Sequence, residues 1–131
     1  GLRVTNESEI GRYGTVAGLW EPGDNRLLNI TEIAEKPSAD YARANLRVDN
    51  LGDDEYLTIF GLYILGPTVF DILKEHITDN LRRKGEFDLS LALDVMRAEE
   101  GFLGYVIDGD RFDIGVPQAY LESLQRYPAG D

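Results

Sequence analysis

A glutamate and a lysine stand side by side before a proline in Glu35-Lys36-Pro37. The residues before them are predicted to form a strand, and open α/β sheets bind ligands beyond their strand ends. A lysine there can neutralise a phosphate group as a point charge, and the neighbouring carboxylate can accept hydrogen bonds from hydroxyl groups such as those of a sugar. The alternative, a solvated Glu-Lys pair beside a turn proline, is common on protein surfaces.

A second candidate is Asp113, in Asp113-Ile114-Gly115 shortly before Pro117. Gly115 gives the chain room to turn, so Asp113 is expected at a strand end near the start of a helix. A carboxylate in that place suits an oxygen-seeking ion such as Mg²⁺. The alternative role is that of an N-cap for the following helix.

The third candidate is Gly61, in the apolar run Phe60-Gly61-Leu62-Tyr63. Glycine inside a strand often marks a bulge or the close approach of a ligand. Gly61 therefore admits a sugar ring against the backbone, or it is a packing glycine under a helix. Both interpretations remain open on residue types alone.

Other polar residues are weaker candidates for a functional site. His76 has no second histidine and no nucleophilic partner, so we interpret it as structural, and Arg82-Arg83-Lys84 is typical of a solvated loop. The sequence contains no G-x-G-x-x-G and no G-x-x-x-x-G-K phosphate loop. Nothing in it therefore predicts a cradle for a triphosphate.

Alternating apolar residues, turn signals and helical spacing predict the elements that must position these residues. Their order indicates an α/β fold with a mixed sheet and helices packed on it. The predicted strands are 13–20, 26–34, 56–65 (buried and central), 102–107 and 111–114; the predicted helices begin at Pro67, Asp88 and Pro117; 38–54 is predicted to be irregular.

Helical spacing also predicts which side chains face inward. Helical spacing is shown by Val69, Phe70, Leu73 and Ile77 in the first helix, one face of the second helix carries Leu89, Ala92, Leu93 and Met96, and the residues expected to face inward in the third are Tyr120, Leu124 and Tyr127.

Composition limits the function classes. The 131 residues fit one domain, 43% of them are hydrophobic, and the formal net charge is −11. That charge repels nucleic acid and acidic membrane surfaces, so neither is an expected partner, and any phosphate site must be built locally from a few cations or a divalent metal. The absence of cysteine favours a cytoplasmic location, and no apolar run approaches a membrane span.

Five short motifs, in order and on these elements, resemble one family, the sugar-1-phosphate nucleotidyltransferases, and most of all the UTP–glucose-1-phosphate uridylyltransferases. Each motif is weak alone, and five in register are fairly specific. They are Arg12-Tyr13-Gly14-Thr15, Glu35-Lys36-Pro37, Gly61-Leu62-Tyr63 with Pro67, Gly85-Glu86, and Asp113-Ile114-Gly115.

The resemblance implies the C-terminal, sugar-binding half of a Rossmann-like nucleotidyltransferase fold of the GT-A kind, as one domain over 1–131, without the N-terminal nucleotide-binding half. The implied reaction converts a nucleoside triphosphate (UTP) and a sugar 1-phosphate into an NDP-sugar and pyrophosphate, with Mg²⁺ as cofactor. By position, Lys36 would be catalytic and bind the sugar phosphate. Glu35, Gly61 and Glu86 would bind substrate, and Asp113 would hold the metal.

Two features leave alternatives open. Where the uridylyltransferases continue the G-E motif with a polar Q-L-T-D-like run, this chain has Phe87-Asp88-Leu89-Ser90-Leu91. The chain is expected to be inactive alone, and it could instead be a non-catalytic nucleotide-sugar-binding or regulatory module, or a subunit completed by another chain. An apolar strand edge over 56–65, left without its partner, predicts a homodimer.

Overall fold

A computed structural model describes residues 1–83, 85–109, 112 and 117–127. One five-stranded sheet has the order β1-β4-β2-β3-β5, and its strand pairs are antiparallel. The α/β fold with helices packed on a sheet is therefore confirmed. The strands are β1 (Leu2–Asn6), β2 (Gly14–Glu21), β3 (Asp24–Glu35), β4 (Glu55–Ile59) and β5 (Leu103–Tyr105); a 3₁₀ helix spans Glu7–Arg12; the α-helices are α1 (Ala39–Asn45), α2 (Thr68–Thr78), α3 (Leu89–Glu100) and α4 (Pro117–Arg126).

The β2–β3 hairpin is the longest pairing in the sheet and was correctly predicted. Its turn contains Gly23 with φ +83°, a left-handed conformation that glycine adopts without steric cost. Asp24 then accepts a hydrogen bond from the backbone N–H of Arg26 (2.8 Å), which fixes the start of the return strand. The hairpin carries Glu35 to the far end of β3.

The predicted strand over 56–65 is wrong in its second half, because β4 ends at Ile59. Gly61 has φ +90°, which turns the chain out of the sheet. The amino group of Gly1 holds the turned segment by donating to the carbonyl oxygen of Leu62 (2.6 Å), and the Ile64 side chain is fully exposed. β4 is also paired on both sides, so the open edge that predicted a homodimer does not lie there.

Three elements were not predicted: β1, the 3₁₀ helix that follows it, and α1. β1 pairs with β4 at five positions, and the hydroxyl groups of Thr5 and Thr58 are 2.6 Å apart in that buried pairing. Helix α1 lies within the segment predicted to be irregular. Ser38 caps it by accepting from the backbone N–H of Tyr41 (3.2 Å), and Ala42 is its buried residue.

Helix α3 buries the apolar face that its spacing predicted, except for Leu89, whereas α2 buries only part of its predicted apolar set. Val69 and Ile72 of α2 pack with Ala92 and Met96 of α3 in a small second core beside the main one. Several apolar side chains that contributed to the predicted helical spacing are nevertheless exposed, including all three that were expected to face inward in the third helix. They are Phe70 and Ile77 in α2, Leu89 in α3, and Tyr120, Leu124 and Tyr127 in and after α4.

The two edge strands of the sheet meet at one point. Leu2 of β1 forms a parallel bridge with Val106, just after β5, and accepts a hydrogen bond from the backbone N–H of Ile107 (2.9 Å). A Cβ on Gly104 would lie 2.3 Å from Leu2 Cδ1, so glycine makes this contact possible. Of the predicted strand over 111–114, only Phe112 is described. In the described part of the chain, no helix is long and apolar enough to cross a membrane.

Candidate functional site

Glu35 and Lys36 lie where β3 and β4 end and β2 begins. Glu35 is paired with Gly14 of β2, and in the row before it Thr15 pairs with both Ala34 and Thr58. β3 and β4 therefore run in the same direction and end at one sheet edge. This is the edge at which the sequence predicted a ligand site.

Lys36 leaves the sheet immediately after Glu35. Its φ is +48°, and its backbone N–H donates to the carbonyl oxygen of Tyr13 (3.1 Å). The side chain is 52% exposed, and its Nζ lies 3.9 Å from Glu35 Oε1. The ammonium group is thus placed beside a carboxylate while it remains accessible to an anion from solvent.

The Glu35 carboxylate is more enclosed than its neighbour, with 26% of the side chain exposed. Its Oε2 accepts a hydrogen bond from Ser90 Oγ, at 3.0 Å, in the first turn of α3. On the sheet side, a Cβ added to Gly14 would lie 3.1 Å from the same oxygen and 3.0 Å from Ile59 Cδ1. Glycine at position 14 therefore leaves the room that this carboxylate occupies.

Tyr63 brings the loop after β4 to the same place. Desolvation by burial raises the pKa of the Tyr63 hydroxyl, and the negative charge of Glu35 raises it further. Both effects favour the neutral phenol, so Tyr63 presents a hydroxyl group and no charge near Glu35.

Gly61, in the same loop, needs glycine for its backbone conformation, because its φ is +90°. A Cβ added there would meet nothing within 4 Å. The packing-glycine interpretation is therefore wrong. Its role in substrate binding stays a prediction.

Glu86 lies on a tight turn next to α3. The backbone groups of Arg83 and Glu86 exchange two hydrogen bonds (2.9 and 3.1 Å), and Gly85 has φ +87°. Arg83 Nη1 also lies 3.5 Å from Asp88 Oδ2, and Asp88 caps α3 by accepting from the backbone N–H of Ser90 (2.8 Å). Arg83 therefore helps to build this turn, which leads directly to the residue that holds Glu35.

Asp113 lies outside the described residues. Within the described ranges, no group of three or more histidine, cysteine, aspartate or glutamate residues is placed to hold a metal ion. The metal assignment of Asp113 therefore stays a prediction.

The nucleotidyl transferase family matches the chain over residues 2–130, which is nearly its whole length. The chain belongs to this family. The resemblance on five motifs is thereby confirmed.

Curated relatives of this nucleotidyl transferase chain are UTP–glucose-1-phosphate uridylyltransferases. That of Pseudomonas aeruginosa is 31% identical over 119 residues, covering 90% of this chain and 37% of the relative. Uridylyltransferase 1 of Staphylococcus saprophyticus is 28% identical over 131 residues, covering the whole chain and 40% of the relative. The chain thus spans about 40% of the length of these proteins.

Solved structures share the fold of this nucleotidyl transferase chain. An apo UDP-glucose pyrophosphorylase superposes with a TM-score of 0.70 at 23% identity, over 96% of this chain and 41% of that one. A UDP-glucose pyrophosphorylase complexed with UDP-glucose gives a TM-score of 0.64 at 22% identity, over 96% and 43%. The predicted nucleotidyltransferase fold is therefore confirmed.

Two contacts of the site escaped prediction from sequence. Ser90 is 55 positions from Glu35, and only the packing of α3 against β3 brings them together. Gly14 was noted as part of a motif, but its function as space for a carboxylate depends on strand register. The signal that was available was Asp88-x-Ser90 at the start of a predicted helix, which is typical of an N-cap.

Proposed function

We propose that this chain forms the sugar-phosphate-binding part of an enzyme that makes UDP-glucose and pyrophosphate from UTP and glucose 1-phosphate. The observation that supports it is the Glu35–Lys36 pair, fixed at a sheet edge with the carboxylate held and the ammonium group accessible. The names of the relatives supply the nucleotide and the sugar.

Each group at the edge has a role that suits its surroundings. Lys36 neutralises the phosphate of the sugar 1-phosphate, because its ammonium group is exposed and mobile enough to reach an anion. Glu35 accepts hydrogen bonds from sugar hydroxyls. The backbone at Gly61 lines the sugar pocket, and Glu86 contributes to substrate binding from the turn before α3.

In the proposed reaction, an oxygen of the sugar phosphate attacks the α-phosphorus of UTP in line, the bond to the β-phosphate bridging oxygen breaks, and pyrophosphate leaves. The protein supplies positioning and charge neutralisation more than covalent chemistry. Lys36 offsets the repulsion between the attacking phosphate and the triphosphate. The triphosphate itself is bound by another part of the enzyme, for which this sequence contains no motif.

Mg²⁺ would supply charge neutralisation at the phosphate oxygens. Magnesium sites in such enzymes commonly use one or two carboxylates with substrate phosphates, and the resemblance to the family gives Asp113 as such a carboxylate. We therefore assign Asp113 as the protein's ligand to that ion.

The Asp113→Asn variant of the full-length enzyme should need more Mg²⁺ for half-maximal rate, because an amide binds the cation more weakly than a carboxylate. A magnesium titration of initial rates measures this. Asp40→Asn, which changes an exposed carboxylate on α1, is the matched control and should leave the titration unchanged. An unchanged titration for Asp113→Asn, with lowered thermal stability, would instead support the helix-cap role.

Pyrophosphate release from UTP and glucose 1-phosphate tests the function as a whole. The full-length protein should turn over, and the 131-residue chain should not, because it contains no phosphate-loop motif for the triphosphate. Glucose 1-phosphate or UDP-glucose binding without turnover by the full-length protein would favour the non-catalytic module. Turnover by the chain alone would contradict its assignment as the sugar-binding part only.

A homodimer and a cytoplasmic location stay proposals. The edge of β4 gives the homodimer no support, because β4 is paired with a strand on each side.

A further inference from the structure

Four polar contacts run in series from the turn before α3 to Lys36. Arg83 is paired with Asp88 (3.5 Å), and Asp88 accepts from the N–H of Ser90 (2.8 Å). Ser90 Oγ donates to Glu35 Oε2 (3.0 Å), and Glu35 Oε1 lies 3.9 Å from Lys36 Nζ. The series joins the two segments that the function uses, the turn that carries Glu86 and the strand end that carries Glu35.

We propose that Ser90 is a positioning residue that orients the Glu35 carboxylate for the hydroxyl groups of the sugar 1-phosphate. This inference rests on the proposed function, which gives Glu35 a sugar ligand. Ser90 itself contacts Glu35 and acts on the ligand through it.

Because of this hydrogen bond, one oxygen of Glu35 is held by the protein and the other is available to the ligand. An ionised carboxylate only accepts, so the Ser90 hydroxyl donates to Oε2. Gly14 lies against the same oxygen from the sheet side, so Oε2 is occupied by protein on two sides. Oε1 is the oxygen on the side of Lys36, and it is the one placed to accept a hydrogen bond from a hydroxyl group of a sugar whose phosphate is bound by Lys36.

Ser90 is itself fixed, which makes it able to orient another group. Its N–H is bound to Asp88, so the serine occupies a defined position in the first turn of α3. Glutamate has three rotatable side-chain bonds, and a charge-assisted hydrogen bond to a fixed donor selects among their combinations. Without that donor, Glu35 becomes ordered only when the sugar binds, and the entropy lost in that ordering weakens the affinity for the sugar.

The test compares Ser90→Ala and Ser90→Thr in the full-length protein, with glucose 1-phosphate as the varied substrate. Ser90→Ala should raise the KM for glucose 1-phosphate about tenfold, the factor expected from losing one hydrogen bond to a charged group. The KM for UTP and kcat should stay within about twofold. Ser90→Thr keeps the hydroxyl and should restore most of the KM.

Ser38→Ala is the matched control, since it also removes a serine hydroxyl from a helix start. Ser38 caps α1 and does not contact Glu35, so this variant should lower Tm without changing the KM for glucose 1-phosphate. If Ser90→Ala changes KM no more than Ser38→Ala does, or if Ser90→Thr behaves like Ser90→Ala, the positioning role is wrong.

Calorimetric titration of glucose 1-phosphate separates this inference from the proposed function. A Kd that weakens about tenfold in Ser90→Ala and recovers in Ser90→Thr supports the inference, even if no pyrophosphate is released. If the wild-type protein turns over, and neither substitution changes the Kd or the KM for glucose 1-phosphate, the inference is overturned and the proposed function stands. Undetectable binding together with no turnover by the wild-type protein overturns both.

Discussion

Replacing Lys36 with alanine in the full-length enzyme should lower kcat/KM by about 10²-fold or more. The ammonium group is the cation next to the Glu35 carboxylate at this sheet edge, and a charge-assisted contact to a phosphate strengthens as negative charge builds up in the transition state. Initial rates of pyrophosphate release at varied glucose 1-phosphate measure the loss.

The backbone at position 36 makes alanine the right substitution. Lys36 has φ +48°, a conformation that costs lysine and alanine about the same, so Lys36→Ala leaves the local strain nearly unchanged and removes the charge. Glycine would relieve that strain and add a second change.

Lys74→Ala is the matched control, because Lys74 is an exposed lysine on α2. It should leave kcat/KM within about twofold. A loss below about threefold for Lys36→Ala would mean that Lys36 is an ordinary surface lysine, and the proposed role would have to be abandoned.

Local signals were sufficient for the parts of the fold that depend on neighbouring residues. The β2–β3 hairpin follows from strand-forming residues on both sides of a Pro-Gly turn, and its length puts Glu35 and Lys36 at the strand end. Helix α3 follows from the spacing of Ala92, Leu93 and Met96, all of which are buried.

The apolar run after Tyr56 shows where local signals fail. Of these ten residues with strand-like composition, only 56–59 belong to β4, and the chain leaves the sheet at Gly61 (φ +90°) and is anchored at Leu62 by a distant residue, Gly1. Composition alone cannot distinguish a strand that continues from one that ends at a glycine.

The candidate site also has one part that could be predicted from the sequence and one part that could not. The Glu35–Lys36 pair is contiguous in sequence, and its chemistry could be predicted from the two residue types and their place after a strand. The hydrogen bond from Ser90 and the space left by Gly14 come from two other elements, and no local signature pairs either residue with Glu35. The family's motifs indicated which segments belong together, and the structure shows how Glu35 is held.

Replacing Leu57 with alanine should destabilise the chain by about 2–5 kcal/mol, the range for deleting a large aliphatic side chain from a packed core. Leu57 is fully buried in β4, between Val4 of β1 and Val16 of β2, so its neighbours belong to a paired sheet and cannot collapse freely into the cavity. Denaturant unfolding followed by circular dichroism measures the change. Leu19→Ala removes the same atoms from a side chain that is 68% exposed, and it should cost less than about 1 kcal/mol. Equal losses for the two variants would contradict the placement of β4 inside the sheet, between β1 and β2.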